Sequence, residues 1–173
     1  MKGNLHLLLL LVFGTVSLQS QTFREISTGT QYNDQVYFQL GDFAPTVIAN
    51  DSWDLAFTAF GVQDAGIHVN ESARLDNNPP PGQLFFAPSN NFDDVFQESE
   101  LTDRLVNSEE SWSWGAGNHG RDLANFADYG WGMYNPGINQ VIGNKVYVMA
   151  MRDGSYKKFI VDSLVATTYY LRH

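Results

Sequence analysis

The chain has 173 residues, 43% of them hydrophobic and 14% aromatic, with no cysteine and a formal net charge of −9. At roughly 150 residues per domain this is one domain, long enough to bury a core and too aromatic to be disordered. The acidity disfavours nucleic acid and anionic membranes, both of which need Lys and Arg, while the missing cysteines exclude disulfides, thiol catalysis, cysteine-ligated metals and a lipoprotein anchor.

Lys2, the apolar run Leu5–Phe13 (His6 aside) and the small and polar Gly14–Gln21 read as a secretory signal over residues 1–20. The run is too short to span a bilayer, and no other long apolar run exists, so an integral membrane protein is not expected. Residues 21–173 then form a single exported domain, secreted or at the cell surface.

Most of that domain reads as strand and turn, which predicts an all-β fold of mostly antiparallel sheets. Gln35–Leu40 is a short strand ending at Gly41. Trp53–Phe60, apolar on both faces, is expected to be a central strand with Trp53 in the core. Gly66–Asn70 is a third strand, Asn77–Gly82 (NNPPPG) a loop, and Leu84–Ala87 another short strand. Phe92–Val106 spaces its apolar residues for one or two short helical turns covering a sheet end. Lys145–Arg152 and Ser155–Ser163 form a hairpin around the turn Asp153-Gly154. A two-residue turn sets Tyr147, Met149 and Met151 opposite Ile160, Lys158 and Tyr156. Val165–Arg172 is a last strand, and the stop at His173 directly after it reads as a missing C-terminal segment.

Enzyme signatures are missing: there is no HExxH, GxSxG, phosphate loop or GxGxxG, so the chain reads as a binding protein. Outside the signal, histidine occurs only at His68, His119 and His173. His68 lies on a predicted strand. His119 lies in the glycine-rich stretch Gly115–Gly120, among Trp112, Trp114 and Trp131. Each has an ordinary reading as a solvated or hydrogen-bonded imidazole. Met133, in YGWGMYN, is the methionine most open to ligation, whereas Met149 and Met151 suit a core. His68, His119 and Met133 are therefore the candidate axial ligands for a haem. Trp112, Trp114 and Trp131 are the candidate ligand-contact aromatics, for a porphyrin or for a glycan stacked on their faces. Asn50-Asp51-Ser52 and Asn70-Glu71-Ser72 match the N-glycosylation pattern, which carries little meaning in a bacterium.

Four stretches are more specific. They are Ser52-Trp53-Asp54-Leu55-Ala56-Phe57, Asn107-Ser108-Glu109 with Ser111-Trp112, Asp128-Tyr129-Gly130-Trp131-Gly132 with Tyr134-Asn135, and Asp153-Gly154 with Tyr156-Lys157-Lys158. Together they resemble HmuY-like domains, exported β-rich proteins of Bacteroidetes-type bacteria, and most closely the branch associated with type IX secretion. The resemblance implies an all-β domain that captures haem between sheet and aromatic loop, with axial His or Met ligands and no catalysis. In related sequences a Thr-His pair often follows the Tyr-Asn of the loop; here Pro136-Gly137-Ile138-Asn139-Gln140 stands there. The competing expectation is a cofactor-free surface or adhesion module that binds glycan through exposed tryptophans.

Overall fold

A computed structural model describes residues 25–59, 65–72 and 81–173. The expected signal segment, Phe60 at the end of the second predicted strand, and most of the NNPPPG loop lie outside the described residues. Among the described residues the fold is all-β and antiparallel, with short 3-10 turns and no long helix. No helix among the described residues is long and apolar enough to cross a membrane.

The strands in chain order are β1 (Asp34–Gln39), β2 (Asp42–Ala49), β3 (Leu55–Phe57), β4 (Ile67–Val69), β5 (Gln83–Phe86), β6 (Arg104–Leu105), β7 (Gly132–Asn135), β8 (Gln140–Gly143), β9 (Val146–Ala150), β10 (Tyr156–Val165) and β11 (Thr168–Arg172). β1 and β2 form a ribbon of their own, as do β3 and β4. The remaining strands form one sheet, β6-β5-β9-β10-β8-β7, with β11 also on β10. Ile160 pairs with Val146 on one edge and Arg172 on the other, and Ser163 with Ile142 and Tyr170. β9 and β8 therefore follow one another along the same edge of β10, with Gly143 at the break. A Cβ on Gly143 would overlap the Val161 carbonyl, so only glycine lets the chain pass there.

The terminal hairpin forms as expected but one residue out of the expected register. Phe159 stands opposite Tyr147, and Lys158 opposite Val148. The loop has three residues, Arg152, Asp153 and Gly154. Met151 N–H donates to the Ser155 carbonyl at 2.8 Å and Gly154 N–H to the Met151 carbonyl at 3.0 Å. Gly154 closes the turn at φ 82, the geometry of a type I turn followed by a left-handed bulge. The cause is burial. Either register sets a lysine opposite Met149, Lys158 in the two-residue one and the exposed Lys157 in the observed one, so the two differ in which apolar residues face the core. The observed one places Phe159 and Val161 there, and Phe159 stacks on Tyr147 with ring centroids 5.2 Å apart.

That face of the sheet carries the core, with Leu84, Leu105, Met149 and Trp131 packed against Ile67 and Val69 of β4. Burial pushes the Tyr147 phenol well above its ordinary value, and its hydroxyl donates to the Gly117 carbonyl at 2.6 Å. The opposite face is covered by the segment after β5, which contributes a 3-10 turn at Glu98–Glu100 and then β6 in place of a second helical turn. It lies across the sheet, not at its end: Phe92 sits between Lys158 and Arg172, each 5.0 Å from its ring centroid, and Phe96 meets Tyr156. Arg172 also grips Asp162 and holds that carboxyl below its usual range, which fastens β11 to β10.

Two expectations fail. Among the described residues the Trp53–Phe60 strand shrinks to β3, which pairs with β4 alone and so is not central, and Trp53 is half-buried. β2 was not expected because Pro45 interrupts it. The ladder shifts register between Tyr37 and Gln39, and Pro45 falls in that irregularity, where no ladder N–H is required.

Ala166 turns the chain from β10 into β11 at φ 54. That region costs a residue with a Cβ about 1–2 kcal/mol. Ala166→Gly is expected to raise stability by ~0.5–1 kcal/mol after glycine's greater loss of chain entropy. The urea midpoint of unfolding should rise; an unchanged midpoint would show that the turn carries no strain.

Candidate functional site

β4 fixes the site because of what happens on its outer edge. Its inner edge pairs with β3, so the N–H groups of Ile67 and Val69 face outward. Two asparagine side chains take the place of a neighbouring strand. Asn118 Oδ1 accepts from Ile67 N–H and Asn107 Oδ1 from Val69 N–H, both at 3.0 Å, and Asn107 Nδ2 donates to the Val69 carbonyl at 2.7 Å. A primary amide offers an acceptor and two donors and so can imitate a peptide group. These contacts hold the 107–118 segment against β4.

Strand alternation then separates the side chains. Ile67 and Val69 enter the core, and His68 turns to the opposite side. There it lines a cleft of about 1180 Å³ between β4, the β1–β2 ribbon and the loop that ends in Trp112. His68 is only 5% exposed, and its Nε2 lies 2.8 Å from the Trp112 carbonyl. A carbonyl only accepts, so Nε2 is the donor in this hydrogen bond. The Trp112 ring lies over the imidazole, 5.4 Å between centroids, yet is 79% exposed at the mouth of the cleft. Val36, Tyr37, Trp53 and Leu55 add apolar wall, and Gln35, Ser52, Ser108 and Ser111 add polar groups.

The candidate residues thus divide. His68 and Trp112, 44 positions apart, are brought together. His119 is exposed and lies against Phe86, 6.2 Å between rings, and does not line the cleft. Met133 is 38% exposed on β7 and does not line it either. Trp114 is half-buried beside the Arg121 guanidinium. Trp131, expected at a surface, is fully buried, with its Nε1–H donating to the Ala65 carbonyl at 3.0 Å. Gly130 and Gly132 flank it and let the backbone pack tightly on both sides; a Cβ on either would overlap a neighbouring carbonyl. That flanking pair was the one sequence signal separating Trp131 from Trp112, which has serine on both sides. The two glycosylation-type asparagines are engaged internally: Asn70 Nδ2 donates to the Asn50 and Trp53 carbonyls, and Asn50 Nδ2 to the Tyr32 carbonyl.

No family model, curated protein or solved structure matches this chain.

The cleft can be tested against haem on its own residues, and the fit is poor. Of the three candidate ligands only His68 lines it, and Nε2 of that ring is committed to Trp112. Asp34, Glu71, Glu109 and Glu110 make its described wall acidic, and the Arg104 guanidinium beside Glu71 is engaged by that carboxylate at 2.6 Å.

Proposed function

We propose that this protein is a non-catalytic, exported binding module of the HmuY-like kind, and that its ligand is a carbohydrate held in the cleft under Trp112. The observation that carries this reading is the exposure of that indole at 79% beside a cleft whose wall combines apolar side chains with hydroxyl and amide groups. Leaving a large apolar side chain in water forgoes ~1.5–3 kcal/mol of burial. A sugar ring recovers it by laying its C–H face on the indole while its hydroxyls meet amide and hydroxyl groups in the wall. No bond-making group is required.

The test is calorimetric titration of the purified protein with a panel of soluble oligosaccharides and, in parallel, absorbance titration with hemin. Saturable binding of a sugar, weakened about tenfold or more in Trp112→Ala, is the expected result, since a stacked ring contributes on the order of 1–3 kcal/mol and 1.4 kcal/mol is a factor of ten. A saturable Soret shift lost in His68→Ala, with no sugar bound, would overturn the carbohydrate reading in favour of haem.

A further inference from the structure

We infer that the β1–β2 ribbon is a lid on the cleft, hinged at its root, which swings outward to admit a ligand and closes back on it, whatever that ligand is. The ribbon supplies one wall of the cleft through Gln35, Val36, Tyr37 and Ile48. It enters and leaves the fold at a single point, where Asn50 N–H donates to the Asn33 carbonyl at 2.7 Å. Among the described residues it pairs with no strand outside itself, and none of its side chains belongs to the core cluster. Tyr37, Leu40 and Val47 are each more than half exposed. Little buried apolar surface therefore holds the ribbon down, which is the mark of a segment that opens apart from the rest of a fold. Beyond the root, one side-chain bond among the described residues latches its strands to the body of the fold, Gln35 Nε2 to Ser72 Oγ at 3.0 Å.

The root itself is incompletely satisfied. Asn50 Oδ1 and Arg152 Nε are buried there, and neither has a hydrogen-bond partner among the described residues. A buried polar atom without a partner carries its full desolvation cost. Outward rotation of the ribbon lets water reach both atoms, which offsets part of what is lost when the Gln35–Ser72 bond breaks. There is room for that rotation: a pocket of about 220 Å³ lies at the root between Ala49, Asp51, Ser72 and Arg152, next to the larger cleft. The bonds from Asn70 Nδ2 and Arg152 Nη2 to the Asn50 carbonyl keep the pivot in place while its side-chain oxygen becomes hydrated.

The chain has no cysteine, so pairs of spin labels can be placed on introduced thiols without side reaction. Double electron–electron resonance then compares two pairs on the purified protein. Leu40→Cys with Ile138→Cys runs from the ribbon tip to the large sheet, and Lys157→Cys with Ile138→Cys stays within that sheet; all three positions are exposed. The second pair should give one narrow distance distribution. The first should give two populations, closed and open. Gln35→Ala, which removes the latch, should raise the ratio of open to closed about fivefold, the equivalent of one neutral hydrogen bond of ~1 kcal/mol. One narrow distribution for the Leu40 pair, with and without Gln35→Ala, would overturn the lid. So would equal broadening of both pairs, which would place the motion in the whole fold. A second population indifferent to Gln35→Ala would overturn the latch, and with it the hinge described here. None of these outcomes depends on the carbohydrate reading, which the sugar titration tests separately.

Discussion

Asn118→Ala should cost more stability than any other single side-chain truncation outside the apolar core. Asn118 is 4% exposed and uses every hydrogen-bonding position of its amide. Oδ1 accepts from Ile67 N–H at 3.0 Å and Gly115 N–H at 3.1 Å; Nδ2 donates to the Ala65 carbonyl at 3.0 Å and the Tyr129 carbonyl at 2.8 Å. Alanine leaves the Ile67 and Gly115 N–H groups and the Tyr129 carbonyl without this partner, while the Ala65 carbonyl keeps Trp131 Nε1–H. Each such group costs about 1–3 kcal/mol, so the total is roughly 4 kcal/mol or more against a usual stability of ~5–15 kcal/mol. Asn118→Asp is no remedy, because it sets an acceptor against two carbonyls. Gly130 protects the same junction: it sits at φ 79, and any Cβ would strike the Asn118 backbone. Urea unfolding is the measurement. A loss below 1 kcal/mol would mean that water replaces the amide, and that β4 is not held as described.

The junction also explains what the sequence could and could not reveal. The terminal hairpin was legible because Val, Ile, Tyr and Phe crowd both strands around a glycine turn. Its register was not, because Asp-Gly serves a two-residue turn and a three-residue bulged turn alike. The choice between them depends on which apolar residues of β10 face the core, which is decided across the sheet. β7 falls in the stretch read as an aromatic loop and β8 was not predicted, because Gly132–Asn135 and Gln140–Gly143 are four-residue strands containing glycine. In the site, His68 and Trp112 stood out by chemistry alone. Their meeting depends on Asn107, whose amide binds Val69 across 38 positions. An asparagine in a polar loop gives no local sign of such a partner, since the same residue type serves any turn.

Arg152→Ala should loosen the wall of the cleft while sparing the main sheet. Arg152 sits in the β9–β10 turn and reaches two other parts of the chain. Nη1 donates to the Ser72 carbonyl at 2.8 Å, and Nη2 to the Asn50 and Asn70 carbonyls at 3.3 and 3.4 Å. Asn50 directly follows β2, so one guanidinium joins the β1–β2 ribbon, the end of β4 and the large sheet. Two other side-chain ties act in this region, Gln35 Nε2 to Ser72 Oγ at 3.0 Å and Asn70 Nδ2 to the Asn50 carbonyl at 2.6 Å. Hydrogen bonds from a charged donor contribute about 1.5–3 kcal/mol at good geometry. With one short and two long bonds, of which only the one to Asn50 reaches the ribbon end, a loss of about 1–2 kcal/mol in ribbon attachment is expected, or roughly 5- to 30-fold in its opening equilibrium. Arg152→Lys should recover little, since a single ammonium cannot span carbonyls that a planar fork reaches from two nitrogens. Amide hydrogen exchange separates the outcomes. Faster exchange in β1 and β2, with β9 and β10 unchanged, would mark the ribbon as a unit hung on Arg152. Uniform acceleration would instead make Arg152 part of the global fold, and no change would remove it from the account of how the cleft is walled. Because Asp34, Gln35 and Tyr37 of the ribbon line the cleft, the first outcome also predicts weaker ligand binding without loss of the core, a combination that Asn118→Ala cannot produce.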